Sequence, residues 1–147
     1  MSYYAITPSQ TSLPDFSQLT PYKKSMVSTI YYPVSSGEFL DSGRSDYVGA
    51  VFTGTLDIPA DGAWTFYLAS DDGSKLYMPT NADPIGLVID NDGLHGTIEK
   101  SATVTLSKGP QAVLVEFFEE AGAWSLMLSW SGPGTSREPV PATAWLP

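Results

Sequence analysis

Apolar and polar residues alternate in two stretches of this chain, broken only at Met127. Trp64, Phe66 and Leu68 oppose Thr65 and Tyr67, and Leu126, Leu128 and Trp130 oppose Ser125, Ser129 and Ser131. A period of two sends successive side chains to opposite faces of an extended backbone, so each stretch reads as a strand with one buried side. The same reasoning predicts strands over Tyr47–Ile58, Ala63–Ser70, Ser74–Met78, Gly86–Asp90, Ala102–Ser107, Gln111–Glu119 and Trp124–Ser131. Turn formers separate them: Pro59-Ala60-Asp61-Gly62, Ser107-Lys108-Gly109-Pro110 and Asp90-Asn91-Asp92-Gly93. No long apolar period of 3.6 residues runs through the chain. Strands that are apolar on one face need a second sheet to cover them. The expected fold is therefore all-β, an antiparallel β-sandwich.

The flanks are less regular. Met1–Lys24 is rich in Ser, Thr, Pro and Gln, so residues 1–27 are expected to wrap the sandwich as an irregular strap. The tail Gly132–Pro147 carries Val140, Trp145 and Leu146, which suit docking back onto the core. With 147 residues and 42% apolar content, the chain reads as a single domain over residues 1–147. No run of 18 or more apolar residues is present, so direct membrane insertion is not expected. Met1–Ala5 has neither the basic nor the apolar region of a signal peptide; an exported form would be a mature chain or part of a larger multidomain protein.

Charge and composition narrow the partners. A formal net charge of −9 argues against nucleic acid and anionic membrane, since both require a basic footprint. Cysteine is absent, which excludes disulfides and thiolate metal sites, and His95 is the only histidine. A zinc site would rest on carboxylates almost alone, so His95 is read as a packing or hydrogen-bonding residue. Acid pairs such as Asp46 with Asp57, or Asp71 with Glu120, have nothing that marks a glycosidase separation. With no nucleophile elbow, His-containing triad or phosphate loop, an enzyme is not expected.

The chemistry concentrates in Ser70-Asp71-Asp72-Gly73-Ser74, at the end of a strand-like run. Adjacent carboxylates repel each other, and a hard, oxygen-seeking cation such as Ca²⁺ offsets that repulsion directly. By itself the pair reads more readily as a solvated hairpin tip. Asp90-Asn91-Asp92-Gly93 is not an EF-hand loop, because its Gly comes fourth and its twelfth position is Ser101. It reads as a turn. Pro79–Gly86 is either a tolerated loop insertion or a specificity loop following the strand that leaves the acid pair.

The order of motifs resembles the PA14 domain, a β-sandwich module found in adhesins, flocculins and some glycosidases. The matching residues are Val51-Phe52-Thr53-Gly54, Gly62–Tyr67, Ser70–Tyr77, Val88–His95, Val115–Glu119 and Leu128–Gly134, so the resemblance covers residues 28–146. It implies, as in the lectin-like members, a Ca²⁺-dependent carbohydrate site in which a cis-linked Asp-Asp pair supplies carboxylates from one loop. Asp71 and Asp72 match that pair. A second loop falls on Glu119–Trp124, where the resemblance points to Glu120 as side-chain ligand and to Gly122 and Trp124 as carbonyl donors. Trp124 is also expected to be exposed, as an apolar wall for a sugar ring. The carbohydrate-binding set is then Asp71, Asp72, Glu120 and Trp124, with vicinal sugar hydroxyls completing the Ca²⁺ shell.

The resulting expectation is a Ca²⁺-dependent lectin module of an extracellular or cell-surface adhesin. Two alternatives stand beside it. One is a structural or protein-interaction PA14 module without a sugar site. The other is an accessory sugar-binding domain of a glycoside hydrolase.

Overall fold

A computed structural model describes all residues of the chain, 1–147. Twelve strands form two antiparallel sheets packed face to face. The first sheet runs β2 (Lys23–Lys24), β1 (Ser2–Ala5), β4 (Val48–Ile58), β9 (Gly109–Glu119), β6 (Ser74–Met78) and β7 (Gly86–Asn91), with β12 (Trp145–Leu146) also on β4. The second runs β11 (Thr135–Pro139), β10 (Ala123–Gly132), β5 (Gly62–Asp71) and β8 (Ile98–Leu106), with β3 (Tyr31–Ser36) also on β10. Two long strands share the same solution to an open edge. β4 is covered along its first half by β1 and along its second by β12, while β10 is covered by β3 and then by β11.

Alternation places the core as predicted. Trp64, Phe66 and Leu68 of β5, Leu126, Leu128 and Trp130 of β10, and Val113, Val115 and Phe117 of β9 are all buried between the sheets. The Trp64 and Trp130 rings meet at 4.9 Å. Gly132 makes room for them: a Cβ there would lie 2.4 Å from Trp64. The polar partners are not uniformly wet, because Ser125 and Ser129 are buried as well, with Ser125 Oγ bonded to Thr97 Oγ1 at 2.8 Å.

The N-terminal segment is more ordered than an irregular strap. Tyr3 is fully buried within β1, which pairs with Val48–Val51, and its ring stacks on Tyr22 and lies edge-on to Phe39. Ser2-Tyr3-Tyr4-Ala5 shows no alternation of its own, and it becomes a strand because β4 offers it an edge and Tyr3 a buried site. The Pro79–Gly86 stretch joins β6 to β7, and Met78 pairs with Gly86 while Ser74 pairs with Asn91. This loop therefore sits at the far end of the hairpin from Asp71-Asp72, and the specificity-loop reading falls. Strand geometry, running away from the pair for five residues, separates them.

Candidate functional site

Two chain crossings between the sheets define one end of the sandwich. β5 ends at Asp71 in the second sheet, and β6 begins at Ser74 in the first. β9 ends at Glu119 in the first sheet, and β10 begins at Ala123 in the second. The registers place these crossings side by side, since Ser125 opposes Asp71 and Ser74 opposes Phe117. Gly73 allows the close approach. A Cβ there would come within 2.5 Å of the Phe118 ring and 2.9 Å of Asp92 Oδ1, and its carbonyl accepts from Phe118 N–H at 3.0 Å.

The inward parity of each strand carries on past the apolar core into this end. Ser70 and Asp72 continue Trp64, Phe66 and Leu68; Ser74 precedes Leu76 and Met78; Asn91 follows Ile89; Glu119 follows Val115 and Phe117. All five are buried, so the core closes in a polar layer. Ser70 Oγ and Ser74 Oγ share a hydrogen bond at 2.6 Å, and Asn91 Nδ2 donates to Ser70 Oγ at 3.2 Å.

Carboxylate oxygens of Asp71, Asp72 and Glu119 converge to within 4.8 Å of one another. The peptide bond joining Asp71 to Asp72 is cis. Asp72 is aimed by two backbone donors from separate loops, His95 N–H to Oδ1 at 3.1 Å and Glu120 N–H to Oδ2 at 3.0 Å. Glu119 differs from both. It is 0% exposed, and neither of its oxygens has a hydrogen-bond partner. Burial, then the charges of Asp72 and Asp71, push its carboxyl up to about 8; the nearby Asp72 N–H acts the other way but falls short of hydrogen-bond geometry. Asp71 is raised too, by burial first and by Asp72 second.

A buried carboxylate without partners is costly, and two more acids beside it add to the cost. A cation at the convergence point would reverse both terms. The donor set is all oxygen, with no thiolate or imidazole in the cluster. That set suits a hard ion of the Ca²⁺ class, which takes carboxylates and carbonyls, rather than zinc. The residues present fit such an ion.

The second-loop expectations need correction. Glu119, not Glu120, joins the Asp pair, because inward parity along β9 selects residue 119 and turns residue 120 away. The Glu120 carboxylate instead accepts the Ser9 N–H at 3.3 Å. Trp124 is no exposed wall: it is 5% exposed, lies edge-on to Phe39 at 4.9 Å, and donates its indole N–H to the Gly37 carbonyl at 3.1 Å. Gly122 is exposed at φ +109°, with its N–H on Asp46 Oδ1 at 3.0 Å. Gly122 and Trp124 thus have only backbone carbonyls to offer. The signal for Glu119 was in the sequence, as an acid on the buried parity of a strand that otherwise places Val113, Val115 and Phe117 inward.

The other acidic motif is only in part a turn: Asp90 and Asn91 complete β7, paired with Lys75 and Ser74, and the chain leaves the strand at Asp92. Asp90 Oδ1 accepts the Asp92 N–H at 3.1 Å, and Asp92 pairs with Lys75 at 3.1 Å. The His95 ring nitrogens lie 2.9 Å from the Gly96 carbonyl and 3.1 Å from that of Asn91, in keeping with a hydrogen-bonding role.

The family model of the PA14 domain matches residues 18–144. No curated protein sequence matches the chain at a significant level. Among solved structures, an anti-sigma factor domain-containing protein is similar with a TM-score of 0.81 and 23% identity, over 99% of this chain and 46% of that one. The chain thus spans about half of that protein's resolved length. The PA14 domain of the antifreeze protein MpAFP gives 0.77 at 18% identity, covering 98% of this chain and 87% of that domain. A PA14 sugar-binding domain from an RTX adhesin gives 0.71 at 18% identity, covering 98% and 94%. At such identities these likenesses show a shared fold.

Proposed function

This chain belongs to the PA14 domain family, and from that membership together with the buried acid cluster we propose that it is a Ca²⁺-dependent carbohydrate-binding module. One observation carries the reading: Glu119, fully buried with both oxygens unpartnered, faces Asp71 and Asp72. A solvated hairpin tip has no need of a third, desolvated carboxylate. Asp71, Asp72 and Glu119 would hold the ion, with backbone carbonyls of the 120–124 crossing as further donors. Bound there, Ca²⁺ would supply Lewis-acid sites for a pair of sugar hydroxyls in positions not taken by protein oxygens.

The chain's own groups set the orientation. Asp72 is fixed by its two backbone donors, so the remaining lone pairs of its oxygens point in a defined direction. Half-buried Asp71 stands at the rim, where a spare oxygen accepts from a sugar hydroxyl. Few groups engage a single sugar, so affinity for a monosaccharide is expected near the millimolar range, about −4 kcal/mol. Repetition of modules within a longer adhesin would raise it by avidity. The similar RTX adhesin domain is described as sugar-binding, which supports the same class and an extracellular or cell-surface setting.

The test is a glycan array probed in calcium and again in chelator, with Asp72→Ala alongside. Retention on defined glycans in calcium only, lost in the variant, is expected. Retention unchanged by chelator would refute the cation site, and absence of any retention would refute carbohydrate binding.

A further inference from the structure

We infer that residues 7–14 form a clasp that fixes the cation site, with Glu120 as a positioning residue and not a ligand. The inference rests on the cation site proposed above. The matched family region begins at residue 18, so this segment lies outside it.

Both ends of the segment are anchored. On one side the Ile6 N–H donates to the Tyr47 carbonyl at 3.1 Å, and the Tyr47 N–H donates in turn to the Glu120 carbonyl at 2.9 Å. On the other, Phe16 packs on Gly49, where a Cβ would stand 2.6 Å from its ring, and lies 4.9 Å from the Tyr4 ring. Between the anchors the chain turns, with Gln10 N–H on the Thr7 carbonyl at 3.2 Å and Ser9 at φ +69°. A non-glycine residue at positive φ is uncommon, and here it directs a backbone donor outward.

Two donors leave the segment, and each reaches an acid in one of the loops that grip Asp72. Ser9 N–H reaches Glu120 Oε1 at 3.3 Å, and Glu120 gives its own N–H to Asp72 Oδ2 at 3.0 Å. Leu13 N–H reaches Asp92 Oδ1 at 2.7 Å, in the turn that leads to His95, whose N–H holds Asp72 Oδ1 at 3.1 Å. The segment thus ties together the only two protein groups that bond the Asp72 carboxylate. Releasing it would leave the 92–95 and 119–122 loops free to separate, and Asp72 would lose its aim. A side chain occupied in this way, and turned from the convergence point, positions the site through its backbone.

Calcium affinity of the full chain, measured by titration calorimetry, tests this with paired variants. Glu120→Ala and Glu120→Gln remove the same charge, but only Gln keeps an oxygen for the Ser9 N–H. Ser9→Pro removes that N–H and cannot hold a positive φ, whereas Ser9→Gly keeps both. Urea melts in chelator confirm that each variant is folded. Glu120→Ala and Ser9→Pro are expected to bind calcium about three- to tenfold more weakly than Glu120→Gln and Ser9→Gly, the effect of one ordinary hydrogen bond. Equal weakening by Glu120→Gln and Glu120→Ala would overturn the positioning role, which needs only an oxygen that accepts the Ser9 N–H. Equal affinity of Ser9→Pro and Ser9→Gly would overturn the clasp. A wild type that binds no calcium overturns the cation site, and the clasp with it.

Discussion

Replacing Glu119 by Gln should stabilise the metal-free protein while removing most of its response to calcium. In the unfolded chain this carboxyl ionises near 4.5, whereas in the fold it holds its proton up to about 8. At pH 7 the fold therefore carries a penalty set by the gap from 4.5 to 7, about 3 kcal/mol at roughly 1.4 kcal/mol per pH unit. Gln cannot ionise, so that penalty disappears. Its amide has unmet hydrogen bonds in the same pocket, costing about 1–2 kcal/mol. The net gain is about 1–2 kcal/mol, which raises a urea midpoint by roughly 0.5–1 M at a slope near 2 kcal/mol/M. Calcium acts in the opposite sense. At a hundred times its dissociation constant a native-state ligand adds about 2.7 kcal/mol, and the variant, lacking one charged donor, should show only a small part of that. The assay is urea unfolding at pH 7 in chelator and in calcium. A variant less stable than wild type in chelator, yet equally stabilised by calcium, would refute the reasoning.

Other outcomes follow from the same structure. In chelator, wild-type stability should fall as pH rises from about 4.5 to 8, because across that window the fold binds more protons than the unfolded chain; calcium should flatten the slope, and melts in a pH series read it. Trp124→Phe should leave calcium-dependent glycan retention intact while lowering stability by about 1–3 kcal/mol, since the indole packs in the core and bonds the Gly37 carbonyl. Retention lost from a folded Trp124→Phe would restore a direct role in sugar binding. Gly132→Ala should destabilise by about 1–3 kcal/mol through overpacking against Trp64, and a neutral urea midpoint would contradict the packing described.

Much of this molecule was legible in its sequence because alternation survives wherever a strand has one wet and one dry face. β5, β9 and β10 emerged from that period within one or two residues at each end. The short edge strands β2, β3, β11 and β12 did not. They carry too few inward residues to show a period, and β3 has a buried pattern in none of its six positions. β3 and β11 depend on edges offered by β10, β12 on β4 and β2 on β1, which is tertiary information. The site divides in the same way. Asp71-Asp72-Gly73 announced itself through local repulsion and turn chemistry. Glu119 required carrying inward parity one step beyond the apolar core, to a residue whose charge argues for the surface. Its neighbour Glu120 was pointed to instead by the family resemblance, which puts a side-chain ligand in the second loop without fixing the register of that loop here. Trp124 was misjudged because, at the start of β10, nothing local reveals that Phe39, far along the chain, will cover it.

The most direct test is diffraction from crystals grown in millimolar calcium. An ion bonded to oxygens of Asp71, Asp72 and Glu119 at about 2.3–2.6 Å, with at least one position left for a hydroxyl, is predicted. Three carboxylates with nothing between them under those conditions, or an ion held by other residues, would contradict the account.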